Sequence, residues 1–265
     1  MRQVWRVIVL LVLSGLALQL FFAGRIALMN VLDPQSTTFQ RSEFIRILRT
    51  EGRVAWSQDW VPGDAISNHL RRAVIASEDA NFVDHGGVEW EALENAWRRN
   101  SAAKARAERR QAEALARHRR AVERARKRGR PEPPPPDLSQ VTPKVIGGST
   151  ITQQLAKNLF LSSERNFLRK GQEFAITFML EGLLSKERIL DIYLNNVEWG
   201  EGVFGAQAAS RHYFGVDAAR LAPRQAARLA VMLPAPKRFE KNPGSSYVRA
   251  RAGTIAARMG AVELP

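Results

Sequence analysis

The sequence contains no cysteine, which excludes disulfide scaffolds, zinc–thiolate sites and cysteine nucleophiles. The alternation of apolar and polar residues that marks half-buried strands is also scarce. Acidic residues are few for the number of basic ones, 26 against 40, and the net charge is +14. Hydrophobic residues make up 45% of the 265, so the chain can bury a real core and is not disordered as a whole.

Most of the excess positive charge lies in one segment. Residues 98–130 hold 14 lysines and arginines but three glutamates, a net of +11. Large apolar side chains are nearly absent there, and the run Pro133–Pro136 that follows is typical of a spacer. We therefore predict a basic, proline-rich insertion at residues 98–140, either a solvated or frayed helix or a disordered stretch. It would serve as a solvated linker or contact anionic lipid headgroups.

The N-terminus carries a long apolar run. Between Arg6 and Arg25 lie eighteen residues without a charge. A helix of roughly 20 apolar residues crosses a bilayer core, and the run is too long for the usual apolar region of a signal peptide. We therefore predict a cytoplasmic tail at residues 1–6, an uncleaved membrane anchor at 7–32 and a membrane-proximal connector at 33–60.

The rest of the chain is predicted to be mainly α-helical. From Pro62 onward, apolar residues recur at spacings of three and four, and this pattern returns after Thr150 almost without interruption. We expect one domain over residues 61–250, which includes the insertion, and a C-terminal helix and tail at 251–265.

Acidic residues are dense directly after the first of these helices. Glu78 and Asp79 follow an apolar helix, and His85 and a glycine pair come soon after. Carboxylates at a helix C-terminus are badly placed against the helix dipole. Such a locally unfavourable arrangement is typical either of a functional site or of a solvated helix end.

A second motif opens the helix that begins near Thr150. Thr150 and Gln153 have the spacing of a capping box, and Gly147 and Gly148 precede them. Lys157 lies one turn beyond Gln153 on the same face. A helix start after a glycine-rich turn can hold an anion through its free N–H groups, although an ordinary capped helix explains the same residues.

A third motif consists of Arg165, Arg169 and Glu173, spaced four and four, with Lys170 beside them. On one helix this spacing gives a common stripe. The stripe is either a surface salt bridge or a phosphate clamp with an acid in reach, and spacing alone does not decide between them.

These motifs occur in a fixed order together with a fourth, Lys186-Glu187-x-Ile189-Leu190-x-x-Tyr193-Leu194-Asn195. In this order they resemble the peptidoglycan glycosyltransferases, the family of the glycosyltransferase domain of class A penicillin-binding proteins. The resemblance covers about residues 60–245, and the chain is similar to monofunctional, membrane-anchored members. Two positions depart from the family pattern, Glu89 in place of Asp and Gln225 in place of the Glu of bifunctional relatives.

The resemblance implies a lysozyme-like helical fold and the polymerisation of lipid II into β-1,4 glycan strands, with inversion and release of undecaprenyl pyrophosphate. It implies that Glu78 is the catalytic base and Glu173 the second catalytic carboxylate. The substrate-binding residues implied in the same way are Asp79, Phe82, His85, Ser149, Thr150, Gln153, Gln154, Lys157, Asn158, Arg165, Arg169 and Lys170.

The family also implies a single-pass protein of the inner membrane with its catalytic domain in the periplasm. Its partners would be lipid II, the growing strand, membrane lipids and cell-wall synthesis or division proteins, and no nucleic acid. No dedicated metal cage is visible, and a divalent cation such as Mg²⁺ or Mn²⁺ beside the pyrophosphate stays open. A lysozyme-like muramidase and a membrane-anchored nucleic-acid-binding protein are the alternative functions. The cationic motif argues against a muramidase, and the membrane anchor argues against a nucleic-acid-binding protein.

Overall fold

The computed structural model describes residues 2–139, 141–143, 147–161 and 167–265. The chain divides into two compact units, one formed by residues 1–88 and 150–265 and the other by residues 89–149. Helices dominate, which confirms the predicted class. The helices of the first unit are α1 (Arg2–Leu28), α2 (Thr38–Glu51), α3 (Asn68–Glu78), α5 (Ile151–Phe160), α6 (Phe167–Leu183), α7 (Lys186–Asn196), α8 (Ala206–Phe214), α9 (Pro223–Met232), α10 (Pro236–Phe239) and α11 (Ser246–Arg258). The second unit contains α4 (Trp90–Lys127).

Helix α1 is long and apolar enough to cross a membrane. It begins at Arg2 and ends at Leu28, whereas the sequence predicts an anchor over residues 7–32. Phe22 and Ile26 are its buried residues among those described, so the C-terminal end of α1 packs on the protein and the apolar stretch before it is exposed. An exposed apolar helix of this length is the arrangement expected of an anchor.

Capping residues set where the helices of the first unit begin. Thr37 and Gln40 form a capping box at α2, and Thr150 and Gln153 form the predicted one at α5. Each hydroxyl accepts a hydrogen bond from the third N–H of the helix, while the glutamine accepts one from the cap residue. The start of α5 is thereby fixed, and with it the direction of the side chains of its first turn.

The core of the first unit lies between two groups of helices. In one group α9 packs against α3 and α11, and in the other α5 packs against α6 and α7. Ile75, Ile151, Leu155 and Tyr193 are almost completely buried in this core. The packing brings the C-terminal end of α3, where Glu78 lies, next to the first turn of α5.

A small sheet, which the sequence does not predict, joins the connector to the rest of the first unit. Its strands are β1 (Ser57–Gln58), β2 (Glu198–Gly200) and β3 (Val203–Phe204), in the order β1-β3-β2. β3 is parallel to β1 and antiparallel to β2. The connector at residues 33–60 is therefore a folded part of the unit, with α2 and β1 as its regular elements.

In the second unit, α4 runs through most of the basic segment as one continuous helix. Its helical residues have high intrinsic helix propensity, which accounts for its length. Ala107 is buried, although large apolar side chains are nearly absent from this segment. Gly129, with φ of 60°, follows the helix, and Gln111 Nε2 donates to the carbonyl of Val141 at 3.0 Å. The chain therefore returns alongside α4.

Candidate active site

Glu78 is the last residue of α3, and its carboxylate is partly exposed. Gln154 Nε2 donates a hydrogen bond to its Oε2 at 3.0 Å. Burial raises the pKa of Glu78 above its usual value, and the hydrogen bond from Gln154 opposes that rise. The neighbouring charge of Asp79 adds to the increase in the pKa of Glu78. A carboxylate with a raised pKa that still reaches solvent is suited to accept a proton from a substrate hydroxyl.

Tyr193 on α7 fixes the amide that holds Glu78. Its hydroxyl donates to Gln154 Oε1 at 3.0 Å, so the opposite end of the amide, Nε2, faces Glu78. Burial raises the pKa of Tyr193 well above its ordinary value, and the charges of Glu78 and Asp79 act in the same direction. The phenol therefore keeps its proton and remains a donor. The sequence motif contains Tyr193, but its spacing gave no role to the residue.

Asp79 connects the acidic segment to the start of α5. Its Oδ2 accepts from the Ile151 N–H at 3.0 Å, one of the free N–H groups of the first turn, and its Oδ1 lies 2.8 Å from His85 Nε2. Gly87 N–H donates to His85 Nδ1 at 3.1 Å, so Nε2 carries the proton shared with Asp79. The contact with Asp79 raises the pKa of His85. In the structure, the hydrogen bonds of Asp79 and His85 are made to other residues of the protein and fix the acidic segment against the start of α5.

Several other residues predicted to bind substrate have contacts inside the protein. Phe82 is fully buried, and Thr150 donates its hydroxyl proton to the carbonyl of Gly87 at 2.6 Å besides capping α5. Gln153 is also buried and completes the capping box. Their predicted contact with substrate stays a prediction. Ser149 belongs to the second unit.

The exposed face of α5 continues from Gln154 toward the helix end. Lys157 is exposed and lies three residues beyond Gln154, and Asn158 is partly buried one position further. Residues three and four apart share a helix face. The ammonium group of Lys157 therefore lies on the face of α5 that also contacts Glu78.

Glu173 forms the second predicted cluster, on α6. Its carboxylate is 5% exposed and accepts from Arg169 Nη1 at 3.2 Å. Lys170 Nζ donates to the other oxygen, Oε1. Two cations therefore contact one buried carboxylate, which holds both of them in a fixed position where they could meet an anion. Arg165, the remaining cation of this motif, lies outside the described residues.

Glu78 and Glu173 lie at different levels along the packed helices α5 and α6. Thr152, near the start of α5, donates to Glu181 Oε1 near the end of α6 at 2.6 Å, so the two packed helices run antiparallel. Glu173 precedes Glu181 by eight residues, or about 12 Å along the helix axis. Glu173 is therefore level with the second half of α5, whereas Glu78 contacts its first turn. The two groups can act on different parts of one long substrate.

Sequence reasoning missed a third polar network, which joins four elements behind the acidic segment. Lys186 Nζ donates to Glu181 Oε1 at 2.9 Å and to the carbonyl of His85 at 2.6 Å, and it lies 4.6 Å from the centre of the Phe82 ring. Gly87 packs here with φ of 87°, and an added Cβ would lie 2.7 Å from Thr177 Cγ2. The presence of Lys186 in the fourth motif was the available signal, but its partner Glu181 lies outside that motif.

No group of three or more His, Asp or Glu side chains that could hold a metal ion occurs in the part of the chain that the structure describes. Each carboxylate named above has a protein donor. These residues therefore provide no site for the divalent cation that the sequence left open.

Comparison with known proteins gives one family. The family model described as Transglycosylase matches residues 46–110 and 138–260 and leaves 111–137 unmatched. The biosynthetic peptidoglycan transglycosylase of Paraburkholderia phytofirmans is 46% identical over 253 residues, which cover 96% of this chain and 90% of the relative. Its namesake in Burkholderia pseudomallei is 47% identical over 252 residues, covering 95% and 84%. That of Bordetella pertussis is 43% identical over 264 residues, covering 100% and 95%.

Proposed function

The chain belongs to the transglycosylase family and is a peptidoglycan transglycosylase, and from that premise we propose how its residues polymerise lipid II. The 4-hydroxyl of the acceptor sugar attacks the anomeric carbon of the donor. The bond from that carbon to undecaprenyl pyrophosphate breaks on the opposite face, so an α linkage becomes β. The hydroxyl loses its proton to a base, and the pyrophosphate leaves with the bonding electron pair.

Glu78 is the base in this proposal. A hydroxyl is a weak nucleophile, so a carboxylate must take its proton as the new bond forms. The raised pKa of Glu78 makes it a stronger base than an exposed glutamate, and its hydrogen bond with Gln154 fixes its orientation. This fixed, partly exposed carboxylate at the end of α3 is the observation that carries the proposed function.

The cations around Glu173 stabilise the leaving group in this proposal. Negative charge develops on the pyrophosphate as the glycosidic bond breaks, and fixed cations lower the energy of that state. Arg169 and Lys170 are held in place by Glu173, and Lys157 faces solvent on the neighbouring helix. Glu173 therefore acts by positioning two cations, and Arg165 joins them by family resemblance.

The contact between α1 and α6 supports this assignment. Gln19 on α1 and Gln172 on α6 exchange two hydrogen bonds, at 2.8 and 3.0 Å. Phe22 packs edge-on against Phe160, the last residue of α5, with ring centroids 5.2 Å apart. Gln172 is the immediate neighbour of Glu173, so the cationic cluster lies close to the anchor helix.

We also propose that the protein is a single-pass protein of the inner membrane with its catalytic unit on the periplasmic side. Arg2 and Arg6 precede the apolar run and favour a cytoplasmic N-terminus. Helix α2, which follows the anchor, exposes Ile45 and Leu48. An exposed apolar face of this kind can lie in the membrane interface beside the polyprenyl chains.

Labelled lipid II tests the proposal. The full chain in detergent should convert it into long products that a muramidase then digests to disaccharide units. Glu78→Gln should give no polymer, whereas Glu94→Gln, at a carboxylate that is 68% exposed on α4, should polymerise normally. Polymer formation by Glu78→Gln would refute the role of Glu78. Cleavage of purified glycan without polymerisation would indicate a muramidase instead.

A further inference from the structure

The second unit carries a surface that the proposed reaction does not use. Ala107, Ala114 and Ala121 are seven residues apart and therefore share one face of α4. Ala107 is buried and the other two are partly buried, and on this side Gln111 bonds to the carbonyl of Val141. This face of α4 is therefore covered by the returning chain.

The neighbouring face of α4 is a row of cations. At 100° per residue, nine of the helix's lysines and arginines fall within an arc of about 120°. These nine, which we call the cationic row, are Arg98, Arg99, Arg106, Arg109, Arg110, Arg117, Arg120, Arg124 and Lys127. The row is about 44 Å long at 1.5 Å per residue. Lys104, Arg119 and Arg126 lie on other sides of the helix.

Most of the cationic row forms no ion pair with an acid among the residues that the structure describes. Arg98 pairs with Glu94 at 3.7 Å and Lys127 with Glu123 at 2.8 Å. The described structure shows no ion pair for the other seven, and Glu113 is the acid that interrupts the row. Holding so many like charges along one edge of a helix costs free energy unless an external anion balances them.

An open groove of about 900 Å³ lies where the row meets the proline-rich segment. Its lining includes Arg117, Arg120, Arg124, Lys127, Pro134 and Pro136. The prolines give the groove a stiff apolar wall beside four positive charges and one acid, Glu123, which pairs with Lys127. Phosphate groups attached to apolar chains offer the complementary chemistry.

We propose that the cationic row docks on the surface of a bilayer that contains anionic phospholipids. Among the described residues one helix, α1, is fit to span a membrane, so tethering keeps α4 within reach of lipid headgroups. A straight row of about 44 Å matches an extended anionic surface better than a single small anion. The family model leaves residues 111–137 unmatched, so the part of the row from Arg117 to Lys127 lies outside the family's common domain, whereas Arg98 to Arg110 lie within it.

The absence of cysteine allows a direct measurement of this docking. A fluorophore on Ala102→Cys, an exposed position within the arc of the row, is placed in the full chain reconstituted in nanodiscs. Quenching by lipids that carry a nitroxide on the headgroup then reports contact. We expect strong quenching in discs with phosphatidylglycerol, weak quenching in discs of phosphatidylcholine alone, and loss of the difference at high salt.

Two triple variants with the same loss of charge distinguish the row from general basicity. Arg117→Gln/Arg120→Gln/Arg124→Gln removes three cations of the row and should lower the docking equilibrium constant roughly a hundredfold. Lys104→Gln/Arg119→Gln/Arg126→Gln removes three cations from the other sides and should change it much less. Unchanged circular dichroism confirms that both variants fold.

Three results would overturn the proposal. Equal losses in the two triple variants would show that net charge, and not the row, determines docking. Quenching that does not depend on anionic lipid would show that headgroup charge is not what is recognised. Displacement of the row from anionic discs by equimolar duplex DNA would assign it to nucleic acid. Polymerisation of lipid II in detergent is measured in parallel and should be normal in both variants.

Discussion

Gln154 donates a hydrogen bond from Nε2 to Oε2 of Glu78 over 3.0 Å, across 76 positions of sequence. The bond sets the orientation of the carboxylate and lowers its pKa, while burial raises the pKa of Glu78 more strongly. The balance of these two effects leaves a base that needs a pH above its raised pKa to work.

The pH dependence of polymerisation follows from this balance. The base must be ionised, so activity should fall as the pH falls through the pKa of Glu78, which lies above that of an ordinary glutamate. We expect the acid limb of the rate profile above pH 4.5. Rates with labelled lipid II at several pH values measure it. An acid limb below pH 4.5 would contradict the assignment.

Removing the hydroxyl of Tyr193 should shift this acid limb. In Tyr193→Phe, Gln154 loses the donor that fixes its amide, so the hydrogen bond to Glu78 weakens and the pKa of Glu78 rises. We expect a limb at higher pH and a rate reduced about fivefold, as for one hydrogen bond. Gln154→Ala should shift the limb in the same direction. The double variant should show no larger shift than Gln154→Ala alone, because both residues act through the same hydrogen bond. Tyr247→Phe, at an exposed tyrosine, is the matched control.

The two carboxylates should differ in how they affect binding. Glu78→Gln should abolish turnover and leave lipid II binding near normal, because the base acts only as the hydroxyl attacks. Glu173→Gln loosens Arg169 and Lys170, so affinity for a phosphoglycolipid that mimics the pyrophosphate should fall more than in Glu78→Gln. Titration of that inhibitor into each variant makes the comparison. The reverse order of affinities would exchange the two roles.

The cation on α5 should matter for the rate and not for the fold. Lys157→Ala should slow turnover about a hundredfold, as expected when one donor to a developing anion is lost. Lys241→Ala, which removes an exposed lysine after α10, should leave turnover unchanged. Single-turnover rates and thermal unfolding together test this. Near-full activity in Lys157→Ala would remove the residue from the leaving-group site.

Glu198 on β2 should make stability depend on pH. Burial raises its pKa to about 7, although Lys237 opposes the rise. The folded state thus binds a proton that the unfolded chain releases above pH 4.5, so stability falls as the pH rises from 4.5 to about 7. Glu198→Gln should remove this fall and stabilise the protein at pH 8 by up to about 3 kcal/mol. Thermal unfolding at pH 5 and pH 8 measures the effect, with Glu94→Gln as control; a larger gain at pH 5 would contradict it.

Residues 111–137 should be dispensable for chemistry in detergent. The family model does not match them, and apart from Ser149 the described residues of the proposed site lie in the first unit. Replacing them with a short Gly/Ser link should leave polymerisation largely intact, as measured by product sizing. Loss of folding on this replacement would show that the segment stabilises the catalytic domain.

The sequence by itself determined the features that depend on neighbouring residues. Eighteen uncharged residues predict α1, the Thr150–Gln153 spacing predicts the capping box, and the ordered motifs indicate the family. A propensity or a cap depends on residues within one or two turns, so one segment of chain carries the information. The same local patterns left the fate of the basic segment open between a helix and disorder, because burial of Ala107 depends on chain that returns more than 20 residues later.

Only the tertiary structure decided which partners meet. Tyr193, Gln154 and Glu78 come from three helices, and the network of Lys186 and Glu181 joins α6 and α7 to the acidic segment. The raised pKa of Glu198 arises in the same way, from packing that removes water around a strand too short to be predicted. Such contacts depend on distance in space, which no local spacing encodes. The sequence therefore names the reacting groups, and the packing of α3, α5 and α7 sets their orientation and their pKa.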